Sequence, residues 1–254
     1  MKVVSFNIRC DFQQDGDNSF IFRRPLILEK IQQEKPDIIG FQEVLPHVHR
    51  WLQDNLTGYT VVGCGREADL TGESMTIAIR NETTQLIGLD TFWLSPTPLE
   101  PGSRYPDQSD CPRTCTRAIL LHQDSQTPIR FYNTHLDHIS SQARLQGLTQ
   151  LLCQMERDTE RYPYPILLTG DFNAVPDSPE MEPLKEHPNL MLQDVTTSLP
   201  FTFHNYFHTP DVTSKIDYIF VSSVFQAKQV CCWKEEKNGV YLSDHYPVCA
   251  ELTR

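Results

Sequence analysis

No apolar run in this chain approaches the roughly 20 residues that a membrane-spanning helix requires, so no such helix is expected. Met1-Lys2-Val3-Val4-Ser5 reaches Asn7 too soon to hold the apolar core of a signal peptide, and cytoplasm is the expected address. Basic charge is scarce. The 22 Lys and Arg stand against 33 Asp and Glu, a formal net charge of −11. That balance argues against a sequence-independent grip on nucleic acid, which usually needs a basic stripe, although a local basic rim or a metal at the phosphate would still permit one. There is no CxxC pair, and the eight cysteines (Cys10, Cys64, Cys111, Cys115, Cys153, Cys231, Cys232 and Cys249) follow no disulfide framework. Cys111 and Cys115 lack a second pair at finger-like spacing, so reduced, mostly buried thiols are expected. A zinc hydrolase built on an HExxH helix is excluded because the motif is absent.

What the chain does have is a series of apolar strands that end on polar residues. Val3-Val4-Ser5-Phe6 ends on Asn7, and Ile38-Ile39-Gly40-Phe41-Gln42 ends on Glu43. The run Ile129 to Thr134 ends on His135, and Ile166-Leu167-Leu168-Thr169-Gly170 ends on Asp171, with Asn173 close behind. Ile216-Asp217-Tyr218 and Ser243-Asp244-His245-Tyr246-Pro247 follow near the C-terminus. Strands that each deliver a carboxylate, amide or imidazole at the tip are how α/β enzymes assemble a site at a sheet edge. Hard oxygen ligands together with histidines suit a divalent metal and a general base acting on a phosphate ester. Because these tips run from Asn7 to His245, a shared site needs residues 1–254 in one domain.

Periodicity predicts helices over 22–33, from Pro46 to Gly58, over 141–157, and briefly after Pro179. It predicts strands at 2–9, 38–42, 59–64, 74–80, 86–94, 116–122, 129–135, 165–169, 216–222, 226–233 and 246–252. The segment 95–113 holds five prolines between Pro96 and Pro112 and reads as a long structured loop, anchored near Trp93 and Tyr105. Asn7 to Glu43 is 36 positions, as is His135 to Asp171. In both intervals a strand ending on a polar residue is followed by a helix and a second strand ending on an acid. This hints at two equivalent halves whose strand tips converge.

Several residues carry chemistry on their own account. Glu43 is either a metal ligand or a charge turned to solvent at its strand end. Gly170 permits a tight turn before Asp171, and Asp171 and Asn173 face one way if the chain is extended; an Asx turn is the alternative. Adjacent side chains point apart, so Asp244 does not orient His245, and Asp217 is the candidate for that task. Of His135 and His138, the second is expected to be an ordinary surface histidine.

Ser5-Phe6-Asn7, Gln42-Glu43, Asn133-Thr134-His135, Gly170-Asp171-Phe172-Asn173, Ile216-Asp217-Tyr218 and Ser243-Asp244-His245 resemble, in order, the motifs of the endonuclease/exonuclease/phosphatase superfamily. The resemblance runs over residues 3–249. It implies a four-layer α/β sandwich of two central mixed β-sheets flanked by helices, and Mg²⁺ or Mn²⁺ chemistry on a phosphoester. It also implies roles. Glu43 would be the principal metal ligand, with Asn7 and Asp244. Asp171 and Asn173 would orient the attacking water and the phosphate oxygens, Asp171 as general base. His245, held by Asp217, would contact the scissile phosphate. His135 matches a histidine of the deoxyribonuclease branch, and Glu73 sits where that branch has an acid paired to it. Arg113 and Arg117, which follow the long loop, are candidates to reach a phosphate.

A metal-dependent phosphodiesterase or phosphatase is the expected function, on a phosphorylated small molecule, a lipid headgroup or nucleic acid, by a monomeric protein. The alternatives are a nuclease and a non-catalytic binding module on the same scaffold. The module is disfavoured because all six motifs keep their functional residue types.

Overall fold

A computed structural model describes residues 1–209 and 212–254. β1 (Lys2–Asn7) leads through α1 (Phe20–Glu34), β2 (Ile38–Gln42) and α2 (Pro46–Asn55) to β3 (Tyr59–Val62) and β4 (Ile77–Arg80). β5 (Thr84–Trp93), β6 (Thr114–His122) and β7 (Ile129–His135) precede α3 (Ser141–Arg161), β8 (Ile166–Asp171) and the single-turn α4 (Glu182–Lys185). The chain closes with β9 (Leu192–Asp194), β10 (Asp217–Ser222), β11 (Gln226–Cys232), a small hairpin of β12 (Glu236–Lys237) and β13 (Val240–Tyr241), and β14 (Val248–Thr253).

Two six-stranded mixed sheets result, in the orders β11-β14-β1-β2-β4-β3 and β5-β6-β7-β8-β10-β9. Each has one parallel pair at its centre, β1–β2 in the first and β7–β8 in the second, with antiparallel pairs to both sides. The repeated interval of 36 residues is therefore a repeated strand–helix–parallel-strand unit, and the two halves correspond strand for strand. Alternation along the central strands sorts their side chains into layers. Val4, Phe6, Ile39 and Phe41 pack against α1 and α2. Tyr132, Ile166, Leu168 and Phe220 pack against α3 and α4. Val3, Ile38, Phe131, Leu167 and Ile219 fill the space between the sheets. The architecture is a four-layer α/β sandwich, and no helix among the described residues is long and apolar enough to cross a membrane.

The helices obey ordinary sequence rules. Pro46 opens α2 at a position that has no helical N–H partner to lose. The Ser140 hydroxyl caps α3 by accepting from the Ala143 N–H at 3.1 Å, and Leu148, Leu151, Leu152 and Met155 line its buried face. The expected strand 74–80 is shorter, because Ser74 instead bridges Val44 and Gly65 beside the site. β9 has no signal in its three residues and exists because it pairs with β10.

Beneath the strand tips the two sheets are joined by polar side chains. Asn133 donates from Nδ2 to the carbonyls of Phe41 (2.7 Å) and Thr76 (3.2 Å). Its Oδ1 accepts from Gln42 Nε2 (2.7 Å) and Thr169 Oγ1 (3.1 Å). Gly40 is what lets the sheets approach this closely: a Cβ there would lie 2.2 Å from Thr169 Oγ1 and 2.6 Å from Asn133 Oδ1. Gly40→Ala is expected to cost about 1–3 kcal/mol through overpacking, read as a lowered midpoint of denaturant unfolding. An unchanged midpoint would contradict this close approach.

Candidate active site

The tips of β1, β2, β7, β8 and β10 and the 243–245 segment converge at one mouth of the sandwich. They surround a cavity of about 680 Å³ whose wall includes Glu43, His135, Asp171, Asn173, Asp244 and His245, with Asn7 and Asp217 bonded to the wall residues Glu43 and His245. Parallel register puts Asn7 beside Gln42 and His135 beside Asp171. The link between the sheets is direct: Asn7 Nδ2 donates to Glu43 Oε1 at 3.0 Å and to Asp171 Oδ2 at 2.9 Å. Glu43 leaves its strand with φ +62°, a left-handed conformation that costs roughly 1–2 kcal/mol for a residue with a Cβ. That turn lets its second oxygen accept from the Cys10 N–H at 2.8 Å. Asn173 also has positive φ, +48°. It reaches the cleft by an Asx turn, its N–H on Asp171 Oδ1 at 2.9 Å, rather than by the extended alternation one reading of the sequence allowed.

Asp171 is the hub. Its Oδ2 lies 3.5 Å from His135 Nε2 and 3.8 Å from His245 Nε2. Asp217 Oδ2 lies 2.9 Å from His245 Nδ1. Burial opposes the charge on His245, but Asp217, then Asp171 and Asp244, outweigh it and push the imidazole up to about 10. Burial, and then Asp217, pushes Asp171 up to about 7. His135 is the opposite case. Burial and the Arg113 guanidinium hold it well below the ordinary histidine range. Asn173 Nδ2, placed by its bond to the Leu136 carbonyl, donates to His135 Nε2 at 2.9 Å, so the neutral ring carries its proton on Nδ1.

Three expectations do not match the arrangement. Glu73 is not paired with His135; its two oxygens take Arg66 Nη1 at 2.7 Å and Nη2 at 3.2 Å, and His135 Nδ1 has no partner among the described residues. Arg117 does not reach the cleft. It lies within β6, where alternation turns it to the outer face, between Asp158 (2.6 Å) and Asp90 (2.8 Å). Arg113, just ahead of β6, does line the cavity, and so does His138, which was expected to be an ordinary surface residue. Asp244 has its Oδ2 3.4 Å from Arg9 Nη1 and accepts from Ser243 Oγ at 3.1 Å.

Sequence reasoning passed over Arg9, Arg66, Arg144 and Phe203, all in the cavity wall. Arg9 stands two residues beyond Asn7, and that proximity was its one signal in the sequence. The others had no motif to mark them. The Phe203 ring packs on His245, centroids 4.9 Å apart. The next residues, Asn205, Tyr206 and Phe207, all have positive φ. This strained turn directs the His204 and Asn205 N–H groups onto the Asp244 carbonyl, at 2.9 and 3.1 Å, and so fixes the 243–245 segment.

The donor set fits a dication. Ligand atoms of Glu43, His135 and Asp171 all lie within 4.8 Å of one another, as do those of Asp171, Asp217 and His245. Carboxylate and imidazole donors match hard to borderline divalent ions. Burial, with repulsion from Glu43, also raises the pKa of Asp244, and a cation would relieve that repulsion.

The chain belongs to the endonuclease/exonuclease/phosphatase family, whose pattern it matches over residues 4–245. Among solved structures, it is similar to a conserved protein of unknown function from Enterococcus faecalis, at 31% identity and TM-score 0.89, covering 100% of this chain and 99% of that one. An endonuclease/exonuclease/phosphatase from Bacteroides vulgatus is 28% identical with TM-score 0.91, covering 99% of this chain and 98% of that one. A mannosyl-6-phosphatase from Bacteroides thetaiotaomicron is 28% identical with TM-score 0.89, each chain covered at 100%. No curated protein sequence matches significantly.

The Asp217–His245 pair makes a pH-dependent prediction for the metal-free protein. A histidine raised from ~6.5 unfolded to about 10 folded adds stability that is full below its unfolded pKa. That stability is lost as pH rises through the folded value. Asp217→Asn removes most of it, so the gap in unfolding midpoint between wild type and variant should narrow between about pH 7 and about pH 10.5. A constant gap would contradict a charged His245 held by Asp217.

Proposed function

We propose that this protein is a divalent-metal-dependent phosphoesterase that hydrolyses a phosphate ester by in-line attack of water. The observation that carries the reading is Asp171 Oδ2 set between a neutral His135, a positively charged His245 and the Asn7 amide. Glu43, with Asn7 and Asp244, would hold Mg²⁺ or Mn²⁺, which when bound polarises a phosphoryl oxygen and stabilises charge on the leaving oxygen. Asp171, raised to about 7, is poised near neutral pH to orient a water and accept its proton. Asn173 fixes the His135 ring and, with it, one wall of the water's position. His245 presents Nε2–H as a charged donor to a phosphoryl oxygen, while Asp217 on Nδ1 keeps the ring in that orientation.

A compact phosphorylated molecule suits the net charge of −11 better than a long polyanion. The Bacteroides thetaiotaomicron relative, described as a mannosyl-6-phosphatase, places mannosyl 6-phosphate esters first among substrates to try, followed by other sugar phosphates, phospholipid headgroups, nucleotides and DNA.

With added Mg²⁺ or Mn²⁺, the protein should release alcohol or phosphate from nitrophenyl phosphate esters, and chelation should abolish this. Undiminished turnover after exhaustive chelation would contradict the proposal. Glu43→Gln keeps the side-chain volume and removes a charge. Its Mn²⁺ affinity by calorimetry should fall at least ~10-fold, with the unfolding midpoint nearly preserved. Unchanged affinity in a folded Glu43→Gln protein would show that Glu43 is no ligand.

A further inference from the structure

The cavity wall holds four arginines, and three of them are committed to carboxylates. Arg66 is bidentate on Glu73. Arg9 takes Asp15 at 3.1 Å twice. Arg144 has Nε and Nη2 on Glu180 and Nη1 on the Asp137 carbonyl. Arg113 differs. It is only 4% exposed, yet its guanidinium makes a single hydrogen bond, from Nη2 to His138 Nδ1 at 2.8 Å, and Nε and Nη1 have no acceptor among the described residues. The nearest carboxylate oxygen, on Asp137, is 3.6 Å from Nε. Asp137 is already engaged by the Ser109 hydroxyl and the Ile139 and Ser140 N–H groups. Leaving N–H groups of a buried cation unpaired costs several kcal/mol unless a ligand supplies the acceptors.

His138 extends this donor surface. Arginine only donates, so His138 Nδ1 must accept, and the ring is neutral with its proton on Nε2. The half-exposed ring therefore adds another N–H at the rim of the same cavity. His135, whose lowered pKa reflects burial first and Arg113 second, lines the same cavity. At this end Arg113 and His138 present donors that call for anionic oxygen, in a wall whose Glu73 is already held by Arg66.

A phosphate diester has two non-bridging oxygens and one negative charge. A monoester has three and, near neutral pH, approaches two charges. Under the phosphoesterase reading, on which this inference rests, a dication held by Glu43, Asn7 and Asp244 would serve one oxygen and His245 a second. We propose that Arg113, backed by Asp137 and capped by His138, determines specificity for phosphomonoesters by binding the third non-bridging oxygen of a terminal phosphoryl group. Water adds to phosphorus, the ester P–O bond breaks, and the departing alcohol takes a proton, leaving inorganic phosphate. In a diester the third oxygen carries a carbon substituent, which would press on a buried guanidinium and leave its N–H groups unpaired.

The test compares kcat/KM for nitrophenyl phosphate and methyl nitrophenyl phosphate, which share a leaving group, at saturating Mn²⁺. Wild type should prefer the monoester, and Arg113→Met should lower monoester turnover by ~10² to 10³, as for loss of one preorganised donor. The diester should lose far less, so that the selectivity ratio collapses. His138→Ala, at a half-exposed position that tolerates truncation, should lower the ratio in the same direction by a smaller factor. Calorimetry provides a readout that does not need turnover: inorganic phosphate should bind the Mn²⁺-loaded wild type and bind Arg113→Met more weakly. A wild-type preference for the diester, or equal losses on both esters in both variants, would overturn the role of Arg113. Turnover of neither ester by wild type would instead overturn the phosphoesterase reading, with phosphate affinity still reporting on Arg113.

Discussion

The site depends on the polar brace that Asn133 makes between the two sheets. Sandwiched sheets ordinarily meet through apolar side chains and settle about 10 Å apart. Here a single amide ties the Phe41 and Thr76 backbone of one sheet to Thr169 of the other, with Gln42 completing its partners. The absence of a side chain at Gly40 makes the approach possible. Two residues beyond Phe41, Asn133 and Thr169 stand Glu43, His135 and Asp171, so the brace sets the separation of Glu43 and Asn7 from His135 and Asp171. Asn133 belongs to one of the recognisable motifs yet touches no part of the cavity. Its work is to hold the halves in register.

Electrostatics then decides what the converged tips can do. Five acids crowd the region, and the protein offsets them unequally. Glu43 is held below the ordinary carboxylate range despite its burial by the Asn7 amide, the Cys10 N–H and the charged His245. Asp171 and Asp244 go the other way. Groups pushed apart in this manner take different roles, one remaining charged to hold a cation while another exchanges a proton. The two histidines are split similarly, His245 charged by Asp217 and His135 kept neutral by burial and Arg113. The pseudo-symmetry of the fold stops at this level. The halves match strand for strand, but one delivers Glu43 where the other delivers Asp171.

Much of this was legible in the sequence. Apolar runs ending on polar residues marked the central strands and, in the cavity wall, Glu43, His135, Asp171, Asp244 and His245 but not Glu73, Glu180 or His138, because a buried strand tolerates a charge only where it leaves the sheet. The repeated interval of 36 residues reported the duplicated unit. What could not be read were side-chain partners set by tertiary packing. Glu73 has the right neighbours in sequence to meet His135, but Arg66 captures it first. Arg113 and Arg117 look alike in sequence, and only the start of β6 between them sends one into the cleft and the other to the outer face. The conformation of Asn173 was ambiguous for a related reason, since its positive φ depends on the Leu136 carbonyl and His135 ring arriving from another strand.

The central claim is that two sheets converge to hold one catalytic dication beside Asp171. Anomalous diffraction from crystals grown with Mn²⁺ and inorganic phosphate tests it most directly. The account predicts a manganese peak within bonding distance of a Glu43 carboxylate oxygen, with phosphate between that ion and His245 Nε2. A peak only on cysteine or surface histidine side chains, or phosphate bound away from the strand tips, would contradict it.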